Sequence, residues 1–200
     1  MEQLGCVVMA AGNARRFGSN KLAAELEGRS LIRRALEAVP RELFGQVAVV
    51  SQYPEVWELA WRFGFRAVEN PHPEYGISHT IALGLAGLLD CGAVCFLVSD
   101  QPLLRRESVE ALVRRWQARP ETIAALGHGG VRGNPCIFPA RFFPELLELR
   151  EDQGGNTVIR RHEACLTLVE VPAEELQDVD TPEALEALGT GKPAAPEDGT

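Results

Sequence analysis

Residues 4 to 11 (LGCVVMAA) form an unbroken apolar run ending at Gly12, the pattern of a strand buried on both faces. Such a run predicts a first strand set centrally in a sheet. Ser30 precedes Leu31, Ile32, Ala35, Leu36 and Val39, apolar at helical spacing, and Pro40 stops the pattern, which reads as an N-cap followed by a crossover helix. The pattern then switches repeatedly: a strand over 46–51, a helix over 55–63, a strand over 65–69 ended by Asn70-Pro71-His72-Pro73, and a helix over 77–89. A second unbroken apolar strand over 93–99 is terminated by Asp100-Gln101-Pro102, and a helix over 108–118 follows.

Strand alternating with helix across short connections predicts an α/β fold: a Rossmann-like three-layer sandwich, its mostly parallel sheet covered by helices on both faces. The second half is less regular. Strands are expected over 122–126, 136–138 and 166–171, with a helix over 141–149 interrupted near Pro144, and Gly-rich loops suited to building a site. The expected organisation is one domain over residues 1–188, followed by a disordered tail over 189–200 that is rich in Gly, Pro and Ala without apolar periodicity.

Composition narrows the function. At 200 residues with 46% hydrophobic content the chain can bury one sizeable core. A net charge of -8 argues against a broad nucleic-acid or membrane surface, since both partners are polyanions, so a phosphate ligand must be held by a local site. The five cysteines show no zinc or redox spacing, and Cys6 and Cys95 sit in apolar runs as small core residues. With no secretory pattern at the N-terminus, the expected location is cytoplasmic.

In open parallel sheets, ligands lie outside the carboxyl ends of the strands, which selects two loops. The first, 10–22 (AAGNARRFGSNKL), offers Gly12 and Gly18 for close backbone approach and Arg15, Arg16 and Lys21 as cations, the chemistry a triphosphate needs; a solvated basic loop is the plainer alternative. It is no Walker A motif, because Ser19 stands where a lysine is required, and no GxGxxG follows the first strand. The second loop, 99–102, places the Asp100 carboxylate where a hard cation could bridge it to phosphate oxygens, although an Asp at a strand end also serves as a cap or turn residue. Further on, Thr181 reads as an N-cap and Pro182 as the first helical residue, so Asp178 and Asp180 lie just before a helix, Asp178 with capping support as its plainer role and Asp180 as a candidate second magnesium ligand.

The loop 10–22 resembles the signature of the MobA-like nucleotidyltransferases, with Gly12, Arg16, Gly18 and Lys21 in its spacing. Further segments of the family occur in order: 70–85, SDQPLL at 99–104, GNPCIF at 133–138, 152–162 and DVDTPEAL at 178–185, so the resemblance spans roughly 4 to 188. It implies the nucleotide-diphospho-sugar transferase-like fold. The Ala-Ala-Gly and Asp-Gln-Pro motifs look most like molybdenum cofactor cytidylyltransferases (MocA-type), while Ala14, His79 and Asn134 depart from the family's usual residues.

The implied reaction transfers CMP from CTP to the terminal phosphate of molybdopterin or molybdenum cofactor, releasing pyrophosphate, with Mg2+ or alternatively Mn2+. The resemblance assigns Lys21 and Arg16 to the phosphates, and Ala10, Ala11 and Gly12 to the base or ribose. Gly18, Gly76, Ser78 and Thr80 complete the nucleotide pocket, Asp100 and Asp180 hold the metal, and Gly133, Asn134 and Pro135 face the acceptor. The implied macromolecular contact is transient, with a molybdoenzyme or its chaperone. Alternatives on the same fold are a guanylyltransferase or a sugar- or polyol-phosphate nucleotidyltransferase; a non-catalytic cofactor-delivery protein is the alternative of a different class.

Overall fold

In the computed structural model, which describes residues 3–12 and 21–190, the apolar runs become the interior of a seven-stranded sheet. The strands are β1 (Leu4–Met9), β4 (Gln46–Ser51), β5 (Arg66–Glu69), β6 (Ala93–Val98), β7 (Ile123–His128), β8 (Val131–Pro139) and β9 (Leu166–Glu170); β2 (Glu25–Leu26) and β3 (Arg29–Ser30) form a separate hairpin. The sheet order is β5-β4-β1-β6-β8-β7-β9, so β1 is an interior strand, as its continuous burial requires. All pairings are parallel except those of β8, which runs antiparallel to both β6 and β7.

The helices are α1 (Leu31–Glu37), α2 (Pro54–Arg62), α3 (Ile77–Leu85), α4 (Arg106–Ala118), α5 (Phe143–Leu147), α6 (Gly155–Arg161) and α7 (Pro182–Thr190). Alternation along the interior strands divides the core. Cys6 and Val8 of β1 and Cys95 and Leu97 of β6 face the side covered by α1, α2 and α4, while Val7, Val94 and Phe96 face α3, α5 and α6. This is the expected three-layer sandwich, with β8 as its antiparallel element.

Several boundaries differ from those expected. α3 ends at Leu85, not at 89; β8 runs over nine residues where three were expected; and α5 is only five residues long, preceded by a 3-10 turn over Ala140–Phe142. Residues 155–161, expected as loop, form α6, in which Val158 and Ile159 supply the buried face. α7 extends through Gly189 and Thr190, the first two residues of the expected tail, and 191–200 lie outside the described residues.

Local signals set the elements around the site. Ser30 caps α1 by accepting from the Arg33 amide at 3.4 Å, and Thr181 accepts from the Ala184 amide at 3.2 Å at the start of α7. α7 packs on the β2–β3 hairpin through a small core of Leu26, Leu31, Val179 and Leu185. Val179, fully buried between Asp178 and Asp180, pins that segment against the end of the sheet.

Candidate active site

β1 and β6 lie side by side in the sheet and end at the same level, Met9 opposite Val98. Their ends are joined by the Ser99 hydroxyl, which donates to the Met9 carbonyl at 2.9 Å. Beyond them opens a cavity of about 620 Å³, lined by Ala11, Gly12, Lys21, Gly76, Thr80 and Asp100, with Asp180 at one side and Glu74 and Asp152 at another. The cavity therefore lies where the rule for parallel sheets places a ligand.

Three expected residues converge here from distant parts of the chain. The Lys21 ammonium donates to Asp180 Oδ1 at 2.8 Å and to Asp100 Oδ2 at 3.3 Å, and Lys21 as a whole is only 8% exposed. Asp100 is positioned by the end of β6, Asp180 by the anchored Val179, and Lys21 by a short 3-10 turn over Lys21–Ala23. The Val179 amide donates to the Asp100 carbonyl at 2.9 Å, tying the two acidic segments together.

Gln101 completes that tie. Its Nε2 donates to the Leu176 carbonyl at 3.1 Å and to Asp178 Oδ1 at 2.9 Å, while its Oε1 is buried without a partner among the described residues. Burial pushes the Asp178 carboxyl above its ordinary range, the nearby Asp100 charge adds to this, and the Gln101 hydrogen bond opposes it. Gln101 does not line the cavity; its hydrogen bonds tie the two acidic segments together. Gln101→Met, nearly isosteric, should strand the Leu176 carbonyl and lower kcat about tenfold or more while leaving the protein folded, because small displacements of positioned groups are costly. Steady-state kinetics beside a thermal melt reads this, and an unchanged kcat removes the positioning role.

The other nucleotide-site expectations fare unevenly. Ala11 and Gly12 line the cavity, whereas Ala10 is fully buried off it and spends its amide on the Val50 carbonyl at 2.9 Å. Gly76 and Thr80 line it too, whereas Ser78 does not: it is buried, and its amide donates to the Glu151 carbonyl at 3.0 Å. Arg15, Arg16 and Gly18 lie outside the described residues.

Of the acceptor candidates, Asn134 lines a second, smaller cavity of about 80 Å³ that shares Met9, Ile77 and Val98 with the first. Gly133 instead packs against the Leu176 side chain and Pro135 is buried in β8, so neither reaches either cavity as expected. Asn156 of α6 joins Asn134 at this recess, whose floor includes Phe96, Cys136 and Phe138. Burial pushes the Cys136 thiol up to about 12, so it remains protonated at neutral pH and donates to the Gly133 carbonyl at 3.2 Å. His162 caps the end of α6 and pairs with Glu145 at 2.6 Å, away from both cavities.

Sequence reasoning missed Glu74 in the cavity wall and two supports of that wall, while Asp152, expected only as the start of a loop facing the acceptor, lines the larger cavity. Asn70, fully buried, donates to the Thr80 hydroxyl at 3.2 Å, and Gln52 donates to the Ala11 carbonyl at 3.3 Å. Asn70 was legible only as a turn residue, since nothing local announces a partner ten positions away.

A buried cation thus stands beside two carboxylates at the carboxyl ends of parallel strands. Among the described residues, no group of three His, Cys, Asp or Glu side chains converges to hold a metal by protein ligands alone. The family model for the MobA-like NTP transferase domain matches residues 6–165. The chain belongs to this family. As a MobA-like NTP transferase it is 28% identical over 193 residues to the purine catabolism protein PucB of Bacillus subtilis, covering 88% of this chain and 91% of that protein. It is 26% identical over 196 residues to a Nostoc protein named "Probable molybdenum cofactor guanylyltransferase", covering 94% and 91%. A solved nucleotidyl transferase from Methanothermobacter superposes with a TM-score of 0.78 at 20% identity, covering 94% of this chain and 97% of that one. The MobA-like chain is thus a nucleotidyltransferase of the nucleotide-diphospho-sugar transferase fold. Among its described residues no helix is long and apolar enough to cross a membrane.

Proposed function

We propose that the protein transfers the cytidylyl group of CTP to the terminal phosphate of molybdopterin or molybdenum cofactor in the cytoplasm, releasing pyrophosphate, with Asp100 and Asp180 as the residues that would hold Mg2+. The observation that carries this reading is the convergence of Lys21, Asp100 and Asp180 at the mouth of the larger cavity. The Lys21 ammonium lies within reach of both carboxylates, and such hard oxygen donors would suit Mg2+. When bound there, the ion would neutralise charge on the phosphate oxygens; Mn2+ is an acceptable substitute.

The chain's own residues supply position and charge. Ala11 and Gly12 line the cavity and would allow close approach by the nucleoside, and Thr80, whose hydroxyl accepts from Asn70, lines the same space. Lys21 turns to the triphosphate, with Arg16 as a second cation. An oxygen of the acceptor phosphate attacks the α-phosphorus, and the bond to the bridging oxygen of the β-phosphate breaks, so pyrophosphate carries the charge away. Such transfers need placement and charge neutralisation more than a covalent nucleophile.

The recess beside Ile77 is where the acceptor would extend, Asn134 and Asn156 offering carboxamides at its polar side and Phe96 and Phe138 an apolar floor. Asn134→Leu should raise the acceptor KM about tenfold, the cost of one lost hydrogen bond to a bound ligand, with the KM for CTP unchanged. Equal changes in both constants would place Asn134 outside the acceptor site. The reaction itself is tested by label transfer: α-labelled CTP should leave its label on the acceptor, γ-labelled CTP should not, and absence of label from the acceptor in both would remove the reading.

A second reading, guanylyl transfer, is favoured by the name of the Nostoc relative. The cytidylyl reading is supported by the Ala-Ala-Gly and Asp-Gln-Pro motifs at 10–12 and 100–102. The cytoplasmic setting is supported by five cysteines that all stand as free thiols, and handing on a labile product favours a transient contact with a molybdoenzyme or its chaperone.

A further inference from the structure

We infer that Lys21 is a built-in counter-ion that occupies the metal position until a nucleoside triphosphate arrives, so that divalent cation and nucleotide enter together rather than the cation first. This rests on the metal assignment proposed above. The Lys21 Nζ sits 2.8 Å from Asp180 Oδ1 and 3.3 Å from Asp100 Oδ2, at the point a cation bridging those carboxylates would take. Two cations cannot share it.

Displacing the ammonium is costly while the cavity is empty of anions. Lys21 is 8% exposed, so moving it off both carboxylates without another anion to receive it leaves a desolvated charge. A divalent cation arriving alone would also find two protein carboxylates and no third, since no larger ligand cluster forms among the described residues. Glu74 and Asp152 also line the cavity, but neither lies within ion-pair distance of Lys21, whose carboxylate partners are Asp100 and Asp180.

A triphosphate changes both terms. Its oxygens accept the lysine, and they complete the coordination of the cation that takes the lysine's place. The two ligands are therefore coupled through one side chain, and by linkage each raises the affinity for the other by the same factor. Without substrate, Lys21 offsets one of the two carboxylate charges and competes with a metal ion for the position between them.

The test uses Mn2+ as the probe, its binding read by electron paramagnetic resonance, on the full chain with and without a CTP analogue carrying a methylene bridge between the α- and β-phosphorus. Lys21→Met should bind Mn2+ alone at least about tenfold tighter than the wild type, within the usual range of coupling between sites. The analogue should tighten Mn2+ binding by a larger factor in the wild type than in Lys21→Met. If Lys21→Met binds Mn2+ no tighter than the wild type, the inference is overturned. Adding Asp100→Asn to Lys21→Met separates the two failures: Mn2+ binding that persists unchanged in the double variant removes the metal assignment itself. Should Lys21→Met fail to fold, Mn2+ binding to the wild type that is equally tight with and without the analogue overturns the proposal by itself.

Discussion

Asp100→Asn should lower kcat about a hundredfold, roughly 3 kcal/mol in the barrier, in a protein that still folds. The substitution keeps the side chain's size and one oxygen, and it leaves the Asp100 backbone carbonyl free to accept from Val179 as before. What it removes is one of the two negative charges on which Lys21 converges. The remaining carboxylate, Asp180, is more exposed, at 59% of its side chain against 31%, so solvent screens it more and it compensates poorly. Turnover near the wild-type rate with magnesium would make Asp100 a turn residue at the end of β6, the plainer role open to it from sequence.

Gly76→Ala should cost about 3 kcal/mol or more of stability, from a disallowed backbone conformation and a steric conflict together. Gly76 holds φ 85° and ψ -175°, a region that side-chain-bearing residues avoid. A Cβ there would lie 2.4 Å from the carbonyl carbon and oxygen of Glu151, which is backbone and cannot rotate away. The same carbonyl accepts from the Ser78 amide at the start of α3, so the conflict pries the 150s loop from the helix that carries Thr80 to the cavity. For a domain of this size the loss should lower the melting temperature by roughly 6–12 °C. The KM for the triphosphate should rise with it; a melt within a degree of the wild type would show that the loop moves aside freely.

The sheet was legible because its strands are buried on both faces: 4–9 and 93–98 carry no polar residue, and only interior strands of a covered sheet tolerate that. The second half was not, for identifiable reasons. β8 begins with VRGN, which reads as loop, and becomes strand because β7 pairs with it from the other side. α6 opens on two glycines and has only seven residues, too few for apolar periodicity to stand out, and it exists because Val158 and Ile159 fill the core beside Phe138.

The site divides in the same way. Lys21, Asp100 and Asp180 could be singled out from the basic loop after the first strand, from a strand end and from a helix start, respectively. Their mutual contact was not, since it spans 79 and 159 positions and depends on buried Val179 and on Gln101. Ser78 and Pro135 each adjoin a cavity residue in sequence but are buried and line neither cavity, a distinction that a motif's spacing does not carry.

The measurement that tests the central claim most directly is pyrophosphate release from CTP, GTP, ATP and UTP with magnesium, with and without molybdopterin. The account predicts release from CTP that depends on the acceptor, with the other three at least about tenfold lower in kcat/KM, as a site that hydrogen-bonds its base requires. Acceptor-dependent release from GTP in preference to CTP would contradict the cytidylyl claim, and tight nucleotide binding with no release from any triphosphate would contradict transfer to this acceptor.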